Sequence, residues 1–94
     1  LLLARPALPS ALGGQTTYLR INGQSMLPQL VGGDLVGVRP APSYGVGDVV
    51  AYRNPDLGIV VHRIVGWDGE QFVLRGDNNS EDDGYHAEPS NVIG

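Results

Sequence analysis

Hydrophobic and β-branched residues fall in short runs along this chain, separated by Gly, Pro, Asn and Asp, and no run keeps the three-to-four spacing of an amphipathic helix. Thr16 to Ile21, Leu35 to Val38, Val49 to Arg53, Ile59 to Trp67 and Gln71 to Arg75 each read as a strand. Asn22-Gly23, Gly32-Gly33 and the loop from Pro40 to Gly47 divide the first three. Asn54-Pro55-Asp56-Leu57-Gly58 and Asp68-Gly69 are turn signals on either side of the longest run. Residues 1–14, LLLARPALPSALGG, have no period and read as a linker or a trimmed membrane-proximal segment. Ser25-Met26-Leu27-Pro28 steps abruptly from polar to apolar, and Pro28 allows a short helical turn there at most. After Gly76 the chain becomes Asp77-Asn78-Asn79-Ser80-Glu81-Asp82-Asp83-Gly84, a polar loop without a core of its own. Five short strands and no convincing helix predict a mainly β domain over residues 15–94.

Composition narrows the chemistry. Ninety-four residues suffice for one modest core, which hides a little over ~60% of the unfolded surface. All six cations are arginines, scattered along a chain of net charge −4, so there is no basic stripe and no nucleic-acid partner is expected. The absence of cysteine excludes disulfides, thiol catalysis and zinc–thiolate sites. The absence of lysine removes the amine from the possible catalytic bases. No stretch approaches the ~20 apolar residues of a membrane span.

Three features can carry chemistry. Gly23-Gln24-Ser25-Met26-Leu27-Pro28 holds a serine between a Gly and a Pro, a setting for an exposed hydroxyl on a tight turn whose N–H groups can face an oxyanion. An ordinary capping serine has the same local sequence. In Val60-Val61-His62-Arg63-Ile64-Val65, alternation puts His62 on the face of Val60 and Ile64, and Arg63 on the face of Val61 and Val65. A neutral imidazole is far cheaper to desolvate than a guanidinium, so His62 is expected inside, where it can serve as a base or sit as a core histidine bonded to a carbonyl. In the acidic loop Asp77, just past a strand end, can accept the imidazole N–H and fix its tautomer; Asp82 and Asp83 follow five and six residues later, and all three equally suit a turn. Calcium is a further possibility for that loop, although its spacing does not match an EF-hand.

The blocks INGQSMLPQLVGGDLVGV, VGDVVAYR, VVHRIV and FVLRGDNNSEDD, in that order over residues 21–83, resemble the signal peptidase I family. His62-Arg63 resembles its histidine-base branch, found in endoplasmic-reticulum, archaeal and sporulation-type enzymes. The resemblance implies a mostly antiparallel, partly barrel-like β fold of the signal peptidase/LexA type. It implies a serine endopeptidase without cofactor or metal, with Ser25 as nucleophile, His62 as general base, and Asp77 or Asp83 as the acid that orients the ring. Gln24, Met26 and Pro28, beside the nucleophile, would contact substrate. The implied partners are signal peptides of secretory preproteins, bound as extended strands and cut after small residues. The parent protein would carry a membrane anchor absent from this chain, with the catalytic domain on the extracytoplasmic or lumenal face. The C-terminal end, Asn91-Val92-Ile93-Gly94, suggests an excised domain that stops short of the family's usual last strand. Two other readings remain: an inactive relative that keeps the fold as an interaction module, and the LexA-like self-cleaving class, which shares the Ser-Met-x-Pro turn but uses a lysine base.

Overall fold

The structure, a computed structural model, describes the backbone of residues 3–8 and all of residues 16–94. Six strands follow in chain order: β1 (Leu3–Leu8), β2 (Thr17–Asn22), β3 (Leu35–Val38), β4 (Val49–Asn54), β5 (Gly58–Trp67) and β6 (Phe72–Arg75). They form one sheet in the order β3-β2-β1-β5-β4, with β6 paired to β5, and every pairing is antiparallel. The expected mainly β, antiparallel fold is present.

β1 is the departure. It falls inside the segment expected to be a linker, yet its backbone lies between β2 and β5, with Leu3 opposite both Asn22 and Val60. Pairing on both edges supplies the order that side-chain periodicity did not announce. The register slips between Pro6 and Leu8, where proline lacks a donor for the ladder. The rest of the expected linker, residues 1–2 and 9–14, lies outside the described residues.

Two side-chain-made turns set the registers that matter. Asn54 Oδ1 accepts the N–H groups of Asp56 and Leu57 at 2.9 and 3.2 Å, and Gly58 takes a φ of 90°, so the β4–β5 hairpin closes with Asn54 opposite Gly58. That register places Val50 opposite His62 and Tyr52 opposite Val60. Asp68 Oδ1 accepts the N–H groups of Glu70 and Gln71 and closes the β5–β6 hairpin at the expected Asp68-Gly69 turn.

Both faces of β5 are covered. Val50, Tyr52, Val60, Ile64, Phe72 and Leu74 pack on one side; Leu19, Ile21, Met26, Ala51 and Val61 pack on the other. Burying each such aliphatic side chain stabilises the fold by about 1.5–3 kcal/mol. The two ends of the sheet path, β3 and β4, line a common cleft of about 300 Å³ between Val36–Arg39 and Val49–Ala51, so the sheet curls into a partial barrel. Residues 92–94 run along the outer edge of β4: Ala51 N–H donates to Gly94 O at 2.9 Å, and Ile93 N–H donates to Ala51 O at 2.7 Å. Among the described residues no helix is long and apolar enough to cross a membrane.

Candidate active site

The site begins where β2 ends. Gly23, with a φ of 96°, turns the chain, and one helical turn follows, closed by Leu30 N–H on Met26 O at 3.0 Å. Met26 is fully buried in the core and pins this turn from below. The loop after β6 grips it from above. Asn78 N–H donates to Ser25 O at 2.8 Å, Asn78 Nδ2 donates to Gln24 O at 3.1 Å, and Asp77 N–H points at Met26 Sδ at 3.4 Å. Gly76 lies so close that a Cβ there would fall 2.6 Å from Ser25 O and 3.0 Å from Ser25 Cβ. Only glycine fits that approach.

This grip buries the hydroxyl, which sequence reasoning expected to be exposed: Ser25 is 2% exposed. Its Oγ lies 2.9 Å from Nε2 of His62, which alternation correctly placed inside and which is fully buried. The other ring nitrogen, Nδ1, lies 2.6 Å from Asp83 Oδ2. A carboxylate only accepts, so Nδ1 carries the proton and Nε2 turns its lone pair to the serine hydroxyl. Asp83 is set in place by its own backbone, whose N–H donates to Leu74 O of β6 at 2.7 Å.

Asp77, the other candidate partner of the imidazole, is engaged elsewhere. Arg63 Nε and Nη2 donate to its two carboxylate oxygens at 2.8 and 2.9 Å, while Nη1 donates to Gly47 O at 2.7 Å. The guanidinium holds the Asp77 carboxyl below the usual aspartate range, against a smaller opposing push from burial. Alternation separates the two: Arg63 lies on the opposite face of β5 from His62, and Asp77 meets it there. Asp82 pairs with Arg75 at 3.2 Å, so the acids of this loop are shared among separate cations. Among the described residues no cluster of His, Asp and Glu converges as a metal site would.

The three residues expected to contact substrate divide. Gln24 is exposed and lines a cleft of about 440 Å³ with Gly23, Leu27, Val31 and Gly32. Pro28 is exposed at the end of the turn. Met26 is not a surface contact, because its side chain is enclosed among Leu19, Ile21, Ala51 and Val61 and anchors the turn that bears Ser25 instead.

A serine, a histidine and an aspartate in hydrogen-bonded sequence on a β scaffold invite comparison with known peptidases. The model of a family described as Peptidase S24-like matches residues 5–94. The chain belongs to the Peptidase S24-like family. That places it at the level of a serine-peptidase type of fold, broader than the signal peptidase branch that the motifs resemble. No curated protein and no solved structure gives a significant match.

This S24-like site contains two elements that sequence reasoning missed. Tyr52 donates its hydroxyl to Asp83 Oδ2 at 2.8 Å, the same oxygen that faces the imidazole. Burial is the main reason its phenol is pushed up, with Asn54 opposing and Asp83 adding to the rise, so it stays a donor across the working pH range. Its signal lay in the β4 alternation, which gives Tyr52 the face of Val50, opposite His62. The grip of Gly76 and Asn78 on the serine turn had no such signal, because loop contacts follow no period.

Proposed function

We propose that this protein is a serine endopeptidase in which Ser25 attacks a peptide carbonyl, His62 takes the hydroxyl proton on Nε2, and Asp83 steadies the imidazolium that results. The proton then passes to the departing amine as the C–N bond breaks, leaving an acyl-serine. Water, deprotonated by the same imidazole, hydrolyses the ester and returns the hydroxyl. One observation carries this reading: the continuous contact Ser25 Oγ–His62 Nε2–His62 Nδ1–Asp83, at 2.9 and 2.6 Å, in a chain without lysine. The Ser25 N–H, which has no acceptor among the described residues, is the oxyanion donor we assign.

The substrate class we favour is the signal peptide of a secretory preprotein, read as an extended strand and cut after small residues. Its support is the sequence resemblance carried by the motif blocks over residues 21–83. With that substrate class goes a membrane-anchored parent whose catalytic domain faces the extracytoplasmic or lumenal side.

The family match and the position of β1 favour a second reading, cleavage within the same molecule, as in LexA-like proteins. β1 already lies between the strand leading to Ser25 and the strand bearing His62. One experiment addresses both readings. The protein is incubated with a peptide containing an Ala-x-Ala site, and turnover is followed as protein concentration varies. Ser25→Ala is expected to abolish cleavage and to unfold at the wild-type temperature. Self-cleavage at a rate independent of concentration, with the added peptide untouched, selects the second reading. Full activity in Ser25→Ala would refute both.

A further inference from the structure

We infer that Tyr52 is a positioning residue of this site, a fourth group whose phenol shares Asp83 Oδ2 with the imidazole and so sets how strongly Asp83 draws a proton onto His62. The inference rests on the reading of His62 as base. It stands on geometry: two donors, Tyr52 Oη at 2.8 Å and His62 Nδ1 at 2.6 Å, converge on one carboxylate oxygen. Tyr52 is fully buried, and its ring stacks on Tyr85 with centroids 6.1 Å apart and planes 6° apart, which fixes where the hydroxyl points.

An oxygen that accepts two hydrogen bonds divides its charge between them. The phenol therefore tempers the field that Asp83 presents to an imidazolium. Removing the hydroxyl while keeping the ring leaves the full charge facing Nδ1, and the ring then holds its proton to higher pH. The surrounding groups do not replace the lost donor. Tyr85, from the loop after β6, spends its hydroxyl on Asn91 Oδ1. Asp77 is clasped by Arg63 of β5, and Asp82 pairs with Arg75 of β6. Asn54 of β4 has its Oδ1 committed to the hairpin and its amide set against the phenol rather than Asp83, and Ser25 meets only the far ring nitrogen.

The test is Tyr52→Phe, read in two ways. In a Ser25→Ala background, which needs no turnover, the His62 ring protons are titrated by NMR with and without Tyr52→Phe. The expected result is a midpoint moved to higher pH. With Ser25 restored, the acid limb of the rate profile is expected to move the same way, with KM unchanged and activity on that limb lowered about three- to tenfold. Tyr85→Phe, which removes a hydroxyl from the same stacked pair, is expected to leave the titration where it was. A midpoint that stays or falls in Tyr52→Phe, or one that moves equally in Tyr85→Phe, overturns the inference. A protein that cleaves nothing but shows the shifted titration keeps the inference about Tyr52 and refutes the peptidase.

Discussion

Asp77 and Asp83 share one polar loop but serve different partners, and that division is the residue-scale basis of the site. Asp83 faces the imidazole, and Asp77 closes a two-pronged pair with Arg63. The two should separate cleanly on mutation. Asp83→Asn presents an amide where Nδ1–H needs an acceptor, frees the wrong tautomer, and is expected to lower turnover about 10²–10⁴-fold. Asp77→Asn leaves the ring partnered and is expected to act on stability. Its folded carboxyl titrates below the unfolded value, so the pair stabilises the fold above the ordinary aspartate range and loses that contribution as pH falls through the lowered value. Thermal melts below about pH 4 should therefore flatten in Asp77→Asn relative to wild type. Equal losses of turnover in the two variants would contradict the assignment. Sequence alone left this choice open, because both acids lie in a loop without period. The inward placement of His62 was legible, since strand alternation and the cost of burying a guanidinium point the same way.

At the scale of elements, Ser25 is held by a loop rather than by its own strand. The turn after β2 has the core pin of Met26, but its orientation toward β5 comes from Gly76, Asp77 and Asn78 beyond β6. Gly76→Ala places a methyl against the Ser25 carbonyl, a backbone atom that cannot swing aside. It is expected to displace Ser25 from His62 and cut turnover at least tenfold, with a modest loss of stability. A Gly76→Ala enzyme with wild-type kcat would show that the grip of the loop is incidental. Strands β2 to β6 were legible from alternation and turn chemistry, nearly to their ends. β1 was not, because Leu3–Leu8 contains Arg5 and Pro6, breaks the alternation, and is defined by what lies on either side of it.

Across the whole molecule, the curled sheet brings together groups from the beginning, middle and end of the chain. Ser25 follows β2, His62 and Tyr52 come from the central hairpin, and Asp83 lies beyond β6. The sequence order Ser, His, Asp and the motif blocks made the residue set legible. Their convergence depends on the β4–β5 register and on the anchoring of Asp83 to Leu74, which belong to the tertiary structure. The family match supports a serine-peptidase type of fold for the chain. The hydroxyl and the imidazole at the centre of this set are both buried.

The most direct measurement is kcat/KM for cleavage of an Ala-x-Ala peptide between pH 4 and pH 9. A lone imidazole base predicts a plateau at the alkaline end and, below it, a single acid limb falling about tenfold per pH unit. Activity unchanged down to pH 4 would mean that some group other than His62 removes the serine proton.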